Sequence, residues 1–358
     1  MKQTLARARV EIDLGALQRN GAAVARRAGV PLLPMIKADA YGLGAKAALR
    51  ALEVLEPWGY GVATVTEGEE LRDLGVSRPV VIFTPLLEGE LVRARSARLT
   101  PTLGFPQEIE AWRRAGGGAW HLSIDTGMSR AGIPWREIDE IAQLAALAPP
   151  EGAFTHFHSA ELNDGTLEAQ EQLFRDSISR LPSRPRLLHT DNSASIARKG
   201  RSAWDLVRPG IFLYGVGSGS TSAIQPEPVV HMRAPIVEIR KLEAGDTVSY
   251  DATLRVEHDA RIATLAIGYA DGYPRSLSQV GTVLVGGTIA PIAGTVTMDM
   301  TMIDVTTLRC EVGDAVTLIG RSGNTVLTVE RVADDASMSP YELLTGLRSR
   351  VERTYTGL

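Results

Sequence analysis

Leu32-Leu33-Pro34-Met35-Ile36-Lys37-Ala38-Asp39-Ala40-Tyr41-Gly42-Leu43-Gly44 is a short apolar run that ends on a lysine and breaks at once into a Tyr-Gly-x-Gly turn. A run of this length before helical sequence reads as a buried strand of a parallel sheet. A lysine at the end of such a strand sits where burial lowers its pKa and frees the amine for Schiff-base chemistry. That is how an enzyme holds pyridoxal phosphate (PLP). Taken alone, the position is more often a solvated strand cap, because lysines are mostly exposed.

Outward from this run, short apolar segments alternate with amphipathic helical stretches to about residue 215, the pattern of βα units. Eight strands are expected, at 32–37, 60–64, 80–84, 100–103, 120–124, 153–156, 187–189 and 206–208. Eight such units imply a (β/α)8 barrel of the TIM type, whose reactive groups gather at the C-terminal strand ends. Lys37, the segment from Asp125 to Arg130, His156, His189 and Arg208 all fall at those ends. Singly, His156 reads as a core histidine and Arg208 as a rim ion-pair partner; their joint placement at one mouth is harder to attribute to chance.

Past Gly215 a loop at 217–222 leads into strand-rich sequence with few helix signals. The chain is therefore α/β, with an N-terminal PLP-binding barrel over 1–229 and a C-terminal mainly-β domain over 230–358. Strands are expected there at 234–239, 247–249, 260–267, 282–285, 302–304 and 315–319, and the early strand 8–14 pairs into this later domain.

The 358 residues, 44% hydrophobic and 22% charged, suffice for both domains. The single cysteine, Cys310, excludes a disulfide framework and a multi-cysteine metal site, and no metal is expected. A net charge of −4 argues against nucleic acid. With neither a signal peptide nor a membrane span in the sequence, a cytoplasmic protein acting on a small molecule is the default.

A phosphate calls for backbone amides and small hydroxyl donors. Asn192-Ser193 follows strand seven and Gly210-Ile211 follows strand eight, where barrels of this type often bind phosphate, and Tyr41 adds a hydroxyl. Asn192 also reads as a plain helix N-cap. A guanidinium such as Arg208 facing the pyridine nitrogen of PLP accepts no proton, weakens the ring as an electron sink, and suits a reaction that returns a proton to Cα. In the second domain, Val248-Ser249-Tyr250, Ile267-Gly268-Tyr269-Ala270-Asp271-Gly272-Tyr273 and Gly294-Thr295-Val296-Thr297-Met298-Asp299 read by themselves as turns and half-buried strand positions.

Six stretches, in order, resemble the alanine racemases: Met35-Ile36-Lys37-Ala38-Asp39-Ala40-Tyr41-Gly42, Ile124-Asp125-Thr126-Gly127-Met128-Ser129-Arg130, Thr155-His156-Phe157, Val207-Arg208-Pro209-Gly210-Ile211, Ser249-Tyr250, and Ile267-Gly268-Tyr269-Ala270-Asp271-Gly272. The resemblance covers essentially the whole chain. It implies interconversion of L- and D-alanine, supplying D-alanine for peptidoglycan, in a homodimer with active sites shared between subunits. Lys37 then carries PLP and acts as the base on the D-face of Cα, and Tyr250 of the other subunit acts on the L-face. Arg130 and the Met298 backbone amide hold the substrate carboxylate; His156 and His189 support Arg208 and the ring; Tyr41, Asn192, Ser193, Gly210, Ile211 and Tyr269 anchor the cofactor.

The chain departs from the family pattern at three places. Ser123 stands where many relatives carry a lysine, often carbamylated; Leu43 stands where histidine is common; Ser349 falls where some relatives place a phosphate-binding tyrosine. Rival readings are a racemase of serine or a basic amino acid, distinguished by a wider pocket, and a non-catalytic PLP-binding protein, which would lack the second domain. A decarboxylase of the same layout would face the pyridine nitrogen with an acid where this chain offers Arg208.

Overall fold

The computed structural model describes residues 7–219 and 221–358; the N-terminal residues 1–6 and Ser220 of the 217–222 loop lie outside the described residues. Six parallel strands, Tyr60–Val62, Val80–Ile82, Thr100–Leu103, His121–Asp125, Gly152–Phe154 and Leu187–His189, hydrogen-bond side by side. The strands Tyr60–Val62, Val80–Ile82 and Gly152–Phe154 are buried throughout, as a parallel sheet covered by helices requires.

Two further segments close the ring. Leu32 bridges Val207, Met35 bridges Gly61, and Asn192 bridges Arg208, all in parallel. Leu33 N–H donates to Val207 O (2.8 Å) and Ile36 N–H to Gly61 O (2.8 Å). The expected strands 32–37 and 206–208 are thus present only as bridges. Pro34 and Pro209 remove ladder donors at these places, which shortens both. Lys37 ends no strand; it opens the helical turn Lys37–Gly42. His156 likewise lies two residues beyond its strand, which ends at Phe154.

The second sheet is built on Val230–Leu242, which pairs antiparallel with Arg9–Asp13, Ala260–Leu265 and Ala315–Ser322. Arg9–Asp13 also pairs in parallel with Glu352–Thr356, so the first strand of the chain lies inside the sheet of the later domain. Its alternation buries Val10 and Ile12 and leaves Glu11 to pair with Arg233 at 3.3 Å. The strands Thr288–Pro291, Thr325–Leu327 and Glu352–Thr356 escaped the sequence reading; the last is polar and mostly exposed, and so carries no apolar alternation.

One hydrophobic core runs through both domains: Tyr41 and Leu43 share it with Leu343, Leu344 and Leu347. Arg353 donates from Nε to Gly42 O (2.8 Å) and from Nη2 to Leu347 O (3.0 Å). The β domain therefore grips the turn that follows Lys37.

Candidate active site

The turn after Lys37 is left-handed. Ala38, Asp39, Ala40 and Tyr41 have φ of 52°, 51°, 54° and 58°. For residues with a Cβ this conformation costs roughly 1–2 kcal/mol each, so surrounding contacts must hold it. Asp39 Oδ1 accepts from Ala45 N–H at 2.6 Å, Glu67 Oε1 from Ala38 N–H at 2.7 Å, and Ile36 O from Ala40 N–H at 2.8 Å. Glu67 is at the same time the capping-box glutamate of the helix Val65–Asp73, and its Oε2 takes Ala63 N–H at 2.7 Å. The capping pattern Thr64-x-x-Glu67 is legible in sequence; its reach to the residue after Lys37 is not.

Lys37 is half-buried, and burial pushes its ammonium below the ordinary lysine range. Arg130 and Arg208 reinforce this, while Glu67 opposes it. A larger free-amine fraction makes Lys37 the most readily acylated lysine: with a limiting acylating reagent near pH 8, peptide mass spectrometry should find Lys37 labelled ahead of exposed Lys46 and Lys241. Labelling in the reverse order would remove the lowered pKa from the account.

Arg208 is 4% exposed. Its guanidinium donates to Thr155 O (2.9 Å), Thr190 O (3.2 Å), His189 Nδ1 (3.0 Å), His156 Nδ1 (3.4 Å) and His189 O, all carbonyls or imidazoles. Its ring contacts are Phe154 at 5.1 Å and Phe83 at 5.7 Å. Burial pushes it down to about 9, against the attraction of Asp191, so it stays charged at neutral pH. His156 is held neutral, lowered to about 3 by burial and then by Arg208, Arg130 and Lys37. Three cations and a neutral imidazole thus share the mouth, an environment suited to an anionic ligand.

A third corner joins Tyr41, Ser193 and Gly210. Ser193 Oγ accepts from Gly210 N–H (2.9 Å) and Phe212 N–H (3.4 Å), which leaves its own hydrogen to donate. A Cβ on Gly210 would lie 2.4 Å from Tyr41 Oη, so only glycine lets this backbone approach the phenol. Tyr41 packs on Tyr214 with centroids 4.7 Å apart, and Tyr214 Oη donates to Met35 O at 2.7 Å. Burial raises the Tyr41 phenol above its usual range and keeps it a hydroxyl. Ile211 is buried beside this corner. Asn192 caps a helix: its carboxamide oxygen accepts from Ala194 and Ser195 N–H, both at 3.1 Å.

Small donors around a glycine, a depressed lysine amine and a guanidinium that hydrogen-bonds to no carboxylate among the described residues fit PLP in its phosphate, aldehyde and ring-nitrogen groups respectively.

Tyr250, Met298 and Tyr269 lie elsewhere. They form one exposed face of the β domain, 66%, 50% and 39% accessible. Ser249 Oγ donates to Thr295 O (2.7 Å), tying the Tyr250 turn to the 294–299 loop, and Ala270 N–H donates to Met298 O (3.0 Å). Ser249, Asp251 and Ala252 around Tyr250 have φ of 68°, 63° and 48°. Among the described residues, neither Tyr250 nor Met298 hydrogen-bonds to the barrel mouth. Arg130 is exposed at the rim. Ser123 is buried, with Oγ 2.6 Å from where a Cβ on Gly132 would stand.

The chain matches the family description "Alanine racemase, N-terminal domain" over residues 12–218 and "Alanine racemase, C-terminal domain" over 229–355. It is 36% identical to a Citrifermentans bemidjiense protein called alanine racemase, with 97% of this chain and 98% of that one covered. Its fold superposes on the crystal structure of an alanine racemase from E. faecalis with a TM-score of 0.92, 30% identity and 98% of each chain covered. An alanine racemase from Bartonella henselae with covalently bound pyridoxal phosphate gives 0.91 at 28% identity, covering 98% of this chain and 100% of that one.

Proposed function

The chain belongs to the alanine racemase family, and from that premise we propose how its own residues divide the work of a PLP-dependent isomerase that interconverts L- and D-alanine. The observation that carries the reading is the mouth itself: the amine of Lys37, depressed by burial, and a buried guanidinium, Arg208, that hydrogen-bonds to no carboxylate among the described residues.

When bound, PLP supplies a ring that draws electron density from Cα of an attached amino acid and so acidifies its proton. Lys37 Nζ is the nucleophile that holds the cofactor and the base that takes or returns the proton on one face of Cα. Tyr250 Oη of a second copy is the base on the opposite face, since inversion needs removal on one side and delivery on the other. Arg208 offers only N–H donors, which leaves the facing ring nitrogen unprotonated and favours proton return over transamination.

Ser193, Tyr41, Gly210 and Ile211 hold the phosphate, with Tyr269 closing the site from the partner's face. His156 and His189 steady Arg208. Arg130 and the Met298 backbone amide of the partner bind the substrate carboxylate. The exposed face bearing Tyr250 and Met298 supports a homodimer in which each site is completed by the other subunit.

No helix among the described residues is long and apolar enough to cross a membrane. The single cysteine supports residence in the cytoplasm, where D-alanine is supplied to cell-wall precursors.

The direct test follows purified holoenzyme with L-alanine in deuterated water by NMR and chiral chromatography. Deuterium at Cα together with D-alanine is the expected result. Cofactor retained on lysine without either product would overturn the racemase reading.

A further inference from the structure

Below Arg208 the barrel interior carries a line of polar groups of which the division of labour above uses only His189. Arg208 donates from Nη1 to His189 Nδ1 at 3.0 Å, and His189 Nε2 lies 2.8 Å from His121 Nδ1. His121 Nε2 faces Glu151 Oε2 at 3.9 Å, beyond hydrogen-bond distance, and Glu151 pairs with Arg186 at 2.5 Å. His121 opens its strand and Glu151 immediately precedes the next, so the line descends from the mouth toward the opposite end of the barrel. Both imidazoles are fully buried; His189 stacks on Phe154 with an interplanar angle of 6°, and His121 lies 5.8 Å from Trp58.

Donor chemistry leaves one placement of the protons. A guanidinium has no acceptor, so His189 Nδ1 accepts and its hydrogen sits on Nε2. His121 Nδ1 must then accept from His189, which puts its own hydrogen on Nε2, toward the carboxylate.

We propose that His121 is a positioning residue of this site: it holds His189 in its Nε2–H tautomer, and His189 so held fixes the orientation of Arg208. The proposal rests on the reading of Arg208 as the group facing the cofactor ring. Strand geometry supports it independently, because a Cβ on Gly152 would fall 2.8 Å from His121 Cε1 and 2.9 Å from each of its ring nitrogens. Gly152 has no positive φ, so the backbone itself admits alanine there, and the glycine makes room for the imidazole. Burial lowers the pKa of both histidines and keeps them in the neutral state the line needs.

The test is ¹⁵N NMR of histidine-labelled holoenzyme, in the wild type and in His121→Phe, Gly152→Ala and His121→Gln. It is paired with the pH titration of the visible cofactor band and with kcat and KM for alanine. The wild type should show His189 bare at Nδ1 and protonated at Nε2. His121→Phe and Gly152→Ala should each give mixed His189 tautomers, move the pH midpoint of the cofactor band and lower kcat about tenfold with KM within about twofold, the size expected for a displaced positioning contact. His121→Gln, whose carboxamide oxygen still accepts from Nε2–H, should recover most of the loss.

A wild-type His189 protonated at Nδ1 overturns the proposal without any variant. So does a fall in kcat with the His189 nitrogens and the band's midpoint unmoved, which would mark His121 as structural only. Loss of the cofactor from wild-type Lys37 would instead sink the reading of the site, and the histidine tautomers would remain measurable.

Discussion

Lys37→Ala should purify without covalently held PLP, and its alanine racemisation should fall by about 10³-fold or more, the combined loss of a nucleophile and a general base. The fold should survive, because the Lys37 side chain makes no hydrogen bond among the described residues; the turn is held by Glu67, Asp39 and Arg353. Borohydride reduction followed by peptide mass spectrometry checks the assignment directly. In the wild type the reduced cofactor should sit on the peptide containing Lys37, and in the variant on none. Cofactor on another lysine, or a variant that keeps its yellow colour and activity, would move the chemistry elsewhere. A near-unchanged thermal midpoint would show that the turn, and not the lysine, bears the structural load.

Tyr250→Phe should keep the cofactor and lose about 10²–10⁴-fold in racemisation, the usual weight of one proton-transfer group. The diagnostic is the face of exchange. With Lys37 intact, D-alanine should still take up deuterium at Cα with retention, while L-alanine should exchange at the rate of the damaged reaction. Equal exchange of both enantiomers would remove Tyr250 from the mechanism.

Mixing subunits tests where Tyr250 acts. If each site pairs Lys37 of one subunit with Tyr250 of the other, a heterodimer of Lys37→Ala and Tyr250→Phe chains contains one unaltered site. Statistical reassortment then recovers about a quarter of wild-type activity from two dead proteins, as the two-fold symmetry of a dimer requires. Sites completed within one chain would recover nothing. The exposure of Tyr250 makes the first outcome the expected one.

The barrel was legible because parallel strands buried on both faces must be apolar runs, and Val80–Ile82 and Gly152–Phe154 are such runs. Once they are counted, the rule that reactive groups gather at strand ends places Lys37, His189 and Arg208 together with no contact known. The left-handed turn was not legible. Ala-Asp-Ala-Tyr contains no glycine to announce positive φ, and the conformation exists only because Glu67, Asp39 and the β domain hold it. Of the two readings of Asn192, its hydrogen bonds to Ala194 and Ser195 show the cap.

What the sequence by itself determined, then, is what depends on local pattern: the alternation of elements, the residues at the ends of strands, the motifs that mark the family and the departure at Ser123. What only the tertiary structure decided is what depends on partners far apart in the chain. His121 carries no motif of its own; the barrel brings it to His189, 68 positions away. The strand Arg9–Asp13, expected in the later domain, finds its neighbours there in Val230–Leu242 and in Glu352–Thr356, from the opposite end of the chain. Donor and acceptor must meet at about 3 Å to have a direction, and no spacing along a chain encodes which distant group closes that gap.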